Sequence, residues 1–321
     1  MDDPVRALLA CPACGGALGS DWRCNRCGAG YAASEGIPSL RLAGDARTEA
    51  VREFYTEAPF PGYPRDADLN WLRARARRSR FARMLDDAIP ADARVVEIGC
   101  GTGQMSLYLA RANRIVIGAD LTRASLLLAV EAAGRFGIDG AHFIETNLAR
   151  PGLRPGAFDV VYCSGVLHHT PDPRKSFAQV VQLARPGGMI VLGLYNAFAR
   201  IPLRLRRAVA RLTGGWWIPG DPVLNDRAAE PARRDAWRRD QYHHPEEHRH
   251  TLAEVRGWFA ENGVEYIRTF PSALLAEEGD GLFAPEAGGW RFEEWLAQIG
   301  WMRSLGPEGG LFVIVGHRIG A

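Results

Sequence analysis

Two groups of residues in this chain have types and spacings that can do chemistry. The first is cysteine. Cys11-x-x-Cys14 and Cys24-x-x-Cys27 are separated by nine residues, and each pair turns into glycine, at Gly15-Gly16 and at Gly28. Two such knuckles can place four thiolates tetrahedrally around Zn²⁺, and a site closed by four sulfurs has a structural rather than a catalytic role. Zinc is preferred over disulfides because a reducing cytosol keeps thiols free. The second group is a glycine run and a distant acid. Gly99-x-Gly101-x-Gly103 follows the apolar Val95, Val96 and Ile98, and Asp120 ends a second apolar run, Ile115 to Ala119, 17 residues past Gly103. Glycines there let the backbone turn tightly and approach a ligand, and a carboxylate at the tip of the next strand can accept hydrogen bonds from both hydroxyls of a ribose. A dinucleotide fingerprint needs its third glycine at position 104, where this chain has Gln104, which argues against a nicotinamide cofactor.

The strings E-I-G-C-G-T-G-Q at 97–104 and G-A-D-L at 118–121 resemble the first two motifs of the class I S-adenosylmethionine (SAM)-dependent methyltransferases. The resemblance implies cofactor contacts from Glu97, Gly99, Cys100, Gly101, Gly103, Gln104, Asp120 and Leu121. It extends to Thr146-Asn147-Leu148, where the family commonly has an Asp that hydrogen-bonds the adenine amino group; the amide oxygen of Asn147 can also accept, and Leu148 lies beside it. The pattern F-D-V-V-x-x-x-x-V-L-H-H from Phe158 to His169 also resembles the family, and it implies that Ser164 and the residues after it lie under the donor methyl group. His168 and Tyr195, at the ends of the fourth and fifth strands, are the candidate proton acceptors, with His168 alternatively a pocket wall. Tyr55, Tyr63, His169 and His244 are the candidate acceptor contacts. The cysteine segment, C-P-A-C-G-G-x-L through C-x-x-C-G-x-x-Y to G-I-P-x-L, resembles the short zinc ribbon that precedes some rRNA guanine methyltransferases.

These residues must be held by alternating strands and helices. Short apolar runs at Val95–Ile98, Ile115–Asp120, His142–Glu145, Phe158–Ser164 and Met189–Tyr195 alternate with helical stretches, which requires a doubly wound, mostly parallel α/β sheet with its site at the carboxyl ends of the strands. Thr122 and Gly137 should bound one helix, Asp172-Pro173 should start the next, and Thr251-x-x-Glu254 is a capping box. Strands at Glu265–Phe270 and Gly310–His317 complete seven, with the antiparallel final hairpin that the resemblance implies. Residues 1–43 read as the zinc ribbon, 44–91 as a linker, an aromatic lid and a helix, and 92–321 as the methyltransferase domain with insertions at about 197–250 and 271–308. The proline-rich run Glu53–Pro64 should be neither helix nor strand, and it serves as a lid over the cofactor or a strap on the sheet edge. In the first insertion Arg200, Arg204, Arg206, Arg207 and Arg211 lie at helical spacing, Trp216-Trp217 follow, and Tyr242–His250 is read as a polar cap loop rather than a metal site, because Pro245 breaks the histidine spacing. Phe283, Trp290, Phe292, Trp295 and Trp301 mark the second insertion.

The 321 residues are 47% hydrophobic and 24% charged, enough for one large core plus a small accessory unit. A net charge of +2 excludes no partner, and Lys175 is the only lysine among 39 basic residues. No apolar stretch approaches the ~18 residues of a membrane span, and a cytoplasmic location follows by default. The expected activity is SAM-dependent methyl transfer to a small molecule. RNA methylation is the alternative, supported by the ribbon and the arginine-rich helices but lacking an N-P-P-Y type signature at the fourth strand. A SAM-binding, non-catalytic partner subunit is the third reading.

Overall fold

The computed structural model describes residues 1–214, 218–226, 231–274, 281–286, 291–305 and 309–320. Trp216, Trp217 and Trp290 lie outside them. Nine strands form one sheet in the order β1-β2-β5-β4-β3-β6-β7-β9-β8, where β1 is Ala33–Ser34, β2 Ile37–Leu40, β3 Arg94–Ile98, β4 Ile115–Asp120, β5 Ala141–Thr146, β6 Phe158–Ser164, β7 Ala184–Tyr195, β8 Val264–Phe270 and β9 Leu311–Arg318. The run from β5 to β8 is the expected seven-stranded Rossmann-like sheet, and β9 is its antiparallel member, paired with β7 and β8. The cysteine segment adds two more strands. Its β2 pairs in parallel with β5, with Ser39 opposite Glu145 and Leu40 opposite Thr146.

Helices cover both faces, so the central strands are apolar on both sides. Val96, Ile98, Ile117, Val161 and Ile190 pack with Phe177, Val180, Val255 and Phe259 on one face. Val95, Val116, Val160 and Val191 pack with Leu85, Ile89 and Leu109 on the other. Gly137 stops the helix Arg123–Phe136 at a left-handed φ of 65°, as expected. Thr122 occupies the N-cap of that helix without a side-chain bond, and its N–H instead goes to Asp120. Asp172 and Thr251 do cap, accepting from the Lys175 and Glu254 amides.

Three local expectations are corrected. Residues Glu53–Glu57 are helical, within Ala46–Glu57, because the prolines begin only at Pro59 and Asp45 caps the start through the Thr48 amide. The single helix expected at the end of 44–91 is two helices, Leu69–Arg78 and Arg80–Ala88, broken where Ser79 caps the second. The fifth strand starts at Ala184 rather than Met189, because Ala184 pairs with Phe158 before an irregularity in register. Among the described residues no helix is long and apolar enough to cross a membrane.

Candidate functional site

The sulfurs of Cys11, Cys14, Cys24 and Cys27 all lie within 4.8 Å of one another, with Cys11–Cys27 at 3.7 Å and Cys14–Cys24 at 3.5 Å. Zinc–sulfur bonds of ~2.3 Å set the edges of a tetrahedron at about 3.8 Å, so this spacing fits a Cys₄ metal centre. The Tyr31 hydroxyl lies 2.9 Å from Cys11 Sγ, and the Arg26 amide donates to Cys24 Sγ. Such contacts orient the ligands.

At the carboxyl ends of the parallel strands lies a cavity of about 1320 Å³. Its floor is the loop after β3. Gly99 and Gly101 have φ of 68° and 54°; a Cβ on Gly99 would meet Val166 at 2.1 Å, and one on Gly101 would meet the Phe60 carbonyl at 2.5 Å. Only glycine fits both places. Asp120 closes the far side of this loop, its two carboxylate oxygens each 2.8 Å from an amide, one from Gly101 and one from Thr122. Burial pushes its carboxyl above the ordinary range against the pull of those amides. Asp120 lines the cavity, and a carboxylate oxygen can accept more than one hydrogen bond. Glu97 also lines the wall; burial raises its carboxyl to about 8, although the Ser106 hydroxyl donates to it. Cys100, Gln104, Leu121, Asn147, Leu148 and Ser164 line the same cavity. Gly103 is the N-cap of the following helix, Gln104–Leu109. The Asn147 side-chain oxygen accepts from the Ala149 amide at 3.0 Å.

The raised Glu97 value has a definite sign. A folded carboxyl that holds its proton up to about 8, against 4.5 when free, binds more protons than the unfolded chain, so its charging destabilises the ligand-free fold as pH rises from about 4.5 to 8. We expect the difference in Tm between the wild type and Glu97→Gln to grow in favour of the variant across that window and level off above it. A pH-independent difference would refute the burial argument.

The segment read as a lid or a strap lies against the glycine loop through residues 60–63. The Thr102 hydroxyl donates to the Pro61 carbonyl, Gln104 Nε2 to the Gly62 carbonyl at 3.0 Å, and the Tyr63 hydroxyl to the Thr102 carbonyl at 2.7 Å. Tyr63 thereby packs among Trp71 and Phe136 and does not line the cavity, whereas Tyr55 does.

Among the described residues the insertion does not line the cavity; it packs behind the wall, and His244, expected to contact the acceptor, lies there rather than in the cavity. Helix Pro231–His243 reaches the lid helix through Arg239, which bonds Glu57 at 2.6 Å and the Phe54 carbonyl. His244 packs on Tyr55 and stacks on His169 at 3.6 Å. His169 lines the cavity and Tyr195 stands beside it. Its Nδ1 lies 2.7 Å from the Glu246 carbonyl, which can only accept, so Nδ1 carries the hydrogen and Nε2 the lone pair. Burial lowers His169 to about 4, opposed by that carbonyl, and the ring is neutral near pH 7. His168 is placed differently. It is 0% exposed, neither ring nitrogen has a partner among the described residues, and it stacks on Tyr195 at 3.7 Å away from the cavity wall. Burial holds it far below the ordinary histidine range.

Sequence reasoning missed the ion cluster behind this wall. Arg200, 1% exposed, lies with its guanidinium 3.7 Å from the Tyr195 ring centre and donates to Gln241, Gly309 and Glu247. Arg207 bonds the same Glu247 carboxylate at 2.6 Å. Burial would raise Glu247, but the two guanidiniums outweigh it and hold the carboxyl below its ordinary value. Helix Pro173–Leu183 was also missed as a source of wall residues: Lys175, Ser176 and Gln179 face the cavity. The signal was the Asp172-Pro173 start, which puts the first turns at the strand ends.

Residues 96–192 match the family described as a methyltransferase domain. An uncharacterised protein of Synechococcus sp. is 28% identical over 253 residues, which cover 70% of this chain and 60% of that one. A ubiquinone biosynthesis O-methyltransferase of Methylococcus capsulatus is 35% identical over 106 residues, 33% of this chain and 45% of that protein. The chain thus aligns with about half the length of these curated relatives. Among solved structures, magnesium protoporphyrin IX methyltransferase of Synechocystis PCC 6803 with bound S-adenosylhomocysteine superposes with a TM-score of 0.50 at 18% identity, covering 85% of this chain and 99% of that one. The fold is that of the SAM-dependent methyltransferases, and residues 96–192 are a methyltransferase domain.

Proposed function

We propose that this methyltransferase domain transfers the methyl group of SAM to a small-molecule acceptor. The observation that carries the reading is a single cavity, about 1320 Å³, whose wall includes the glycine loop, Asp120 and Asn147 as well as Tyr55, His169 and Tyr195. That volume exceeds the roughly 300–1,000 Å³ of ordinary one-ligand pockets and leaves room for an acceptor beside a cofactor. SAM supplies an activated methyl on a sulfonium. The chain's own residues bind, orient and exclude water. Asp120 is assigned to the ribose hydroxyls, Asn147 and Leu148 to the adenine, Glu97 and the glycine loop to the methionine part, and Ser164 to the region of the methyl group. His169, which lines the cavity and has Nε2 as its unprotonated nitrogen, is assigned as proton acceptor, with Tyr195 beside it; His168, shut behind Tyr195, shapes that wall. The O-methyltransferase of ubiquinone biosynthesis among the relatives fits an acceptor of small-molecule class.

The four-cysteine centre is assigned to structural zinc. Sulfur spacing that matches a tetrahedron supports this.

Calorimetry tests the cofactor assignment. Asp120→Ala removes a charge-assisted hydrogen-bond partner and should weaken SAM binding by about 1.5–3 kcal/mol; unchanged affinity would refute it. Tritiated methyl transfer onto cell extract, separated into small-molecule and RNA fractions, tests the acceptor class. Label in the RNA fraction alone would overturn the small-molecule reading.

A further inference from the structure

Helix Ile201–Leu212 carries its charged and apolar groups on unusual sides. Arginines turn inward: Arg206 approaches Asp221 at 3.6 Å, and Arg207 bonds Glu247. Aliphatic side chains turn outward. Ile201, Leu205 and Leu212 are 37%, 64% and 88% exposed, and with the exposed Ala208 they occupy positions i, i+4, i+7 and i+11, one continuous stripe. Arg204 and Arg211 flank the stripe, exposed and paired with no carboxylate among the described residues, and the helix contains no acid. Just before it, Phe198 meets Trp295 edge-on at 6.4 Å, and Trp295 stacks on Phe292 at 6.0 Å; those two are 44% and 67% exposed. A solvated helix of a soluble surface shows the reverse arrangement. The stripe also has a definite place. The helix leaves the sheet just after Tyr195, a cavity residue, and Tyr195 pairs with Leu311 at the start of β9, the strand that follows the helix bearing Trp295.

We propose that this face docks on an anionic lipid bilayer, with the helix lying flat in the headgroup region. Ile201, Leu205 and Leu212 would enter the acyl boundary, Arg204 and Arg211 would meet lipid phosphates, and Phe292 and Trp295 would sit at the interface. Charge complementarity favours lipid over a second copy of this chain. A two-fold contact across the stripe offers Arg204 and Arg211 no acid from the helix of either copy. The proposal is independent of the methyl-transfer reading.

Flotation with vesicles tests it on the intact protein. The protein should float with phosphatidylcholine–phosphatidylglycerol vesicles and tenfold or more weakly with phosphatidylcholine alone, and added salt should release it. Leu205→Glu with Leu212→Glu should abolish flotation at unchanged Tm, and Arg204→Gln with Arg211→Gln should reduce it roughly tenfold and flatten the salt dependence. No flotation of the native protein overturns the proposal, as does flotation that survives the glutamate pair. Light scattering that shows a native dimer dissolved by the glutamate pair assigns the face to a second copy instead. If that pair does not fold, hydrogen exchange in the native protein decides: 201–212 must gain protection with anionic vesicles, and no gain refutes docking.

Discussion

Replacing His169 with alanine should slow methyl transfer by roughly 10²–10⁴-fold while SAM affinity stays near the wild-type value. The expectation rests on which nitrogen is unprotonated in a ring that lines the cavity. The Glu246 carbonyl at 2.7 Å fixes the hydrogen on Nδ1, so the Nε2 lone pair is the group available to take a proton. With its value lowered to about 4, the ring is already neutral at pH 5, and no fall in rate between pH 8 and pH 5 should arise from its protonation. His168→Ala separates the two neighbours. That ring is fully buried without a hydrogen-bond partner among the described residues, so its loss acts through packing against Tyr195 and should lower Tm more than it changes the rate at a permissive temperature. Should His168→Ala abolish transfer in a protein of native stability, and His169→Ala leave it intact, the assignment is wrong. A joint loss of SAM binding in His169→Ala would make that residue a cofactor wall.

Removing zinc should be the most damaging change to the fold. Structural Cys₄ sites hold zinc with apparent free energies of about 10–16 kcal/mol near pH 7, and that energy is folding energy for a unit too small to have its own core. Chelator-free protein should contain one zinc per chain. Cys24→Ser should lose it, and hydrogen exchange should rise through the cysteine segment and into β5, because β2 pairs with Glu145 and Thr146. Protein that is fully folded and free of zinc after chelator-free purification would remove the metal from this account. A rise confined to the knuckles would show that β2 holds its place without the metal.

Much of this arrangement was legible because it is local. The glycine run, Asp120, the caps at Asp172 and Thr251 and the two-sided apolar strands each follow from a few neighbouring residues. Features that depend on distant contacts were not. His168 and His169 are adjacent on one short turn, Leu167–His169, and nothing in their spacing tells which ring meets the cavity and which is sealed behind Tyr195. Arg200 has the composition of a surface helix end, yet Glu247, Gln241 and the Gly309 carbonyl draw it inside. Prolines at 59 and 61 dominate the reading of the lid and obscured a helix that ends two residues before the first of them and buries no side chain completely. Tyr63 read as a substrate aromatic, but its hydroxyl finds the Thr102 carbonyl, 39 residues away in sequence.

The pairing of β2 with β5 also bears on how the cysteine segment and the catalytic body can be inherited. Strand edges attract other chains, and β5 would present an open edge next to Asn147 if β2 were absent. Beyond β2, Arg41 bridges Glu145 and Glu49, so the same stretch also fastens the lid helix. The seam between the two units therefore runs through the interior of one sheet. A lineage could not discard or exchange the cysteine segment as a free module; it would have to supply a replacement strand and a new anchor for helix Ala46–Glu57 in the same step.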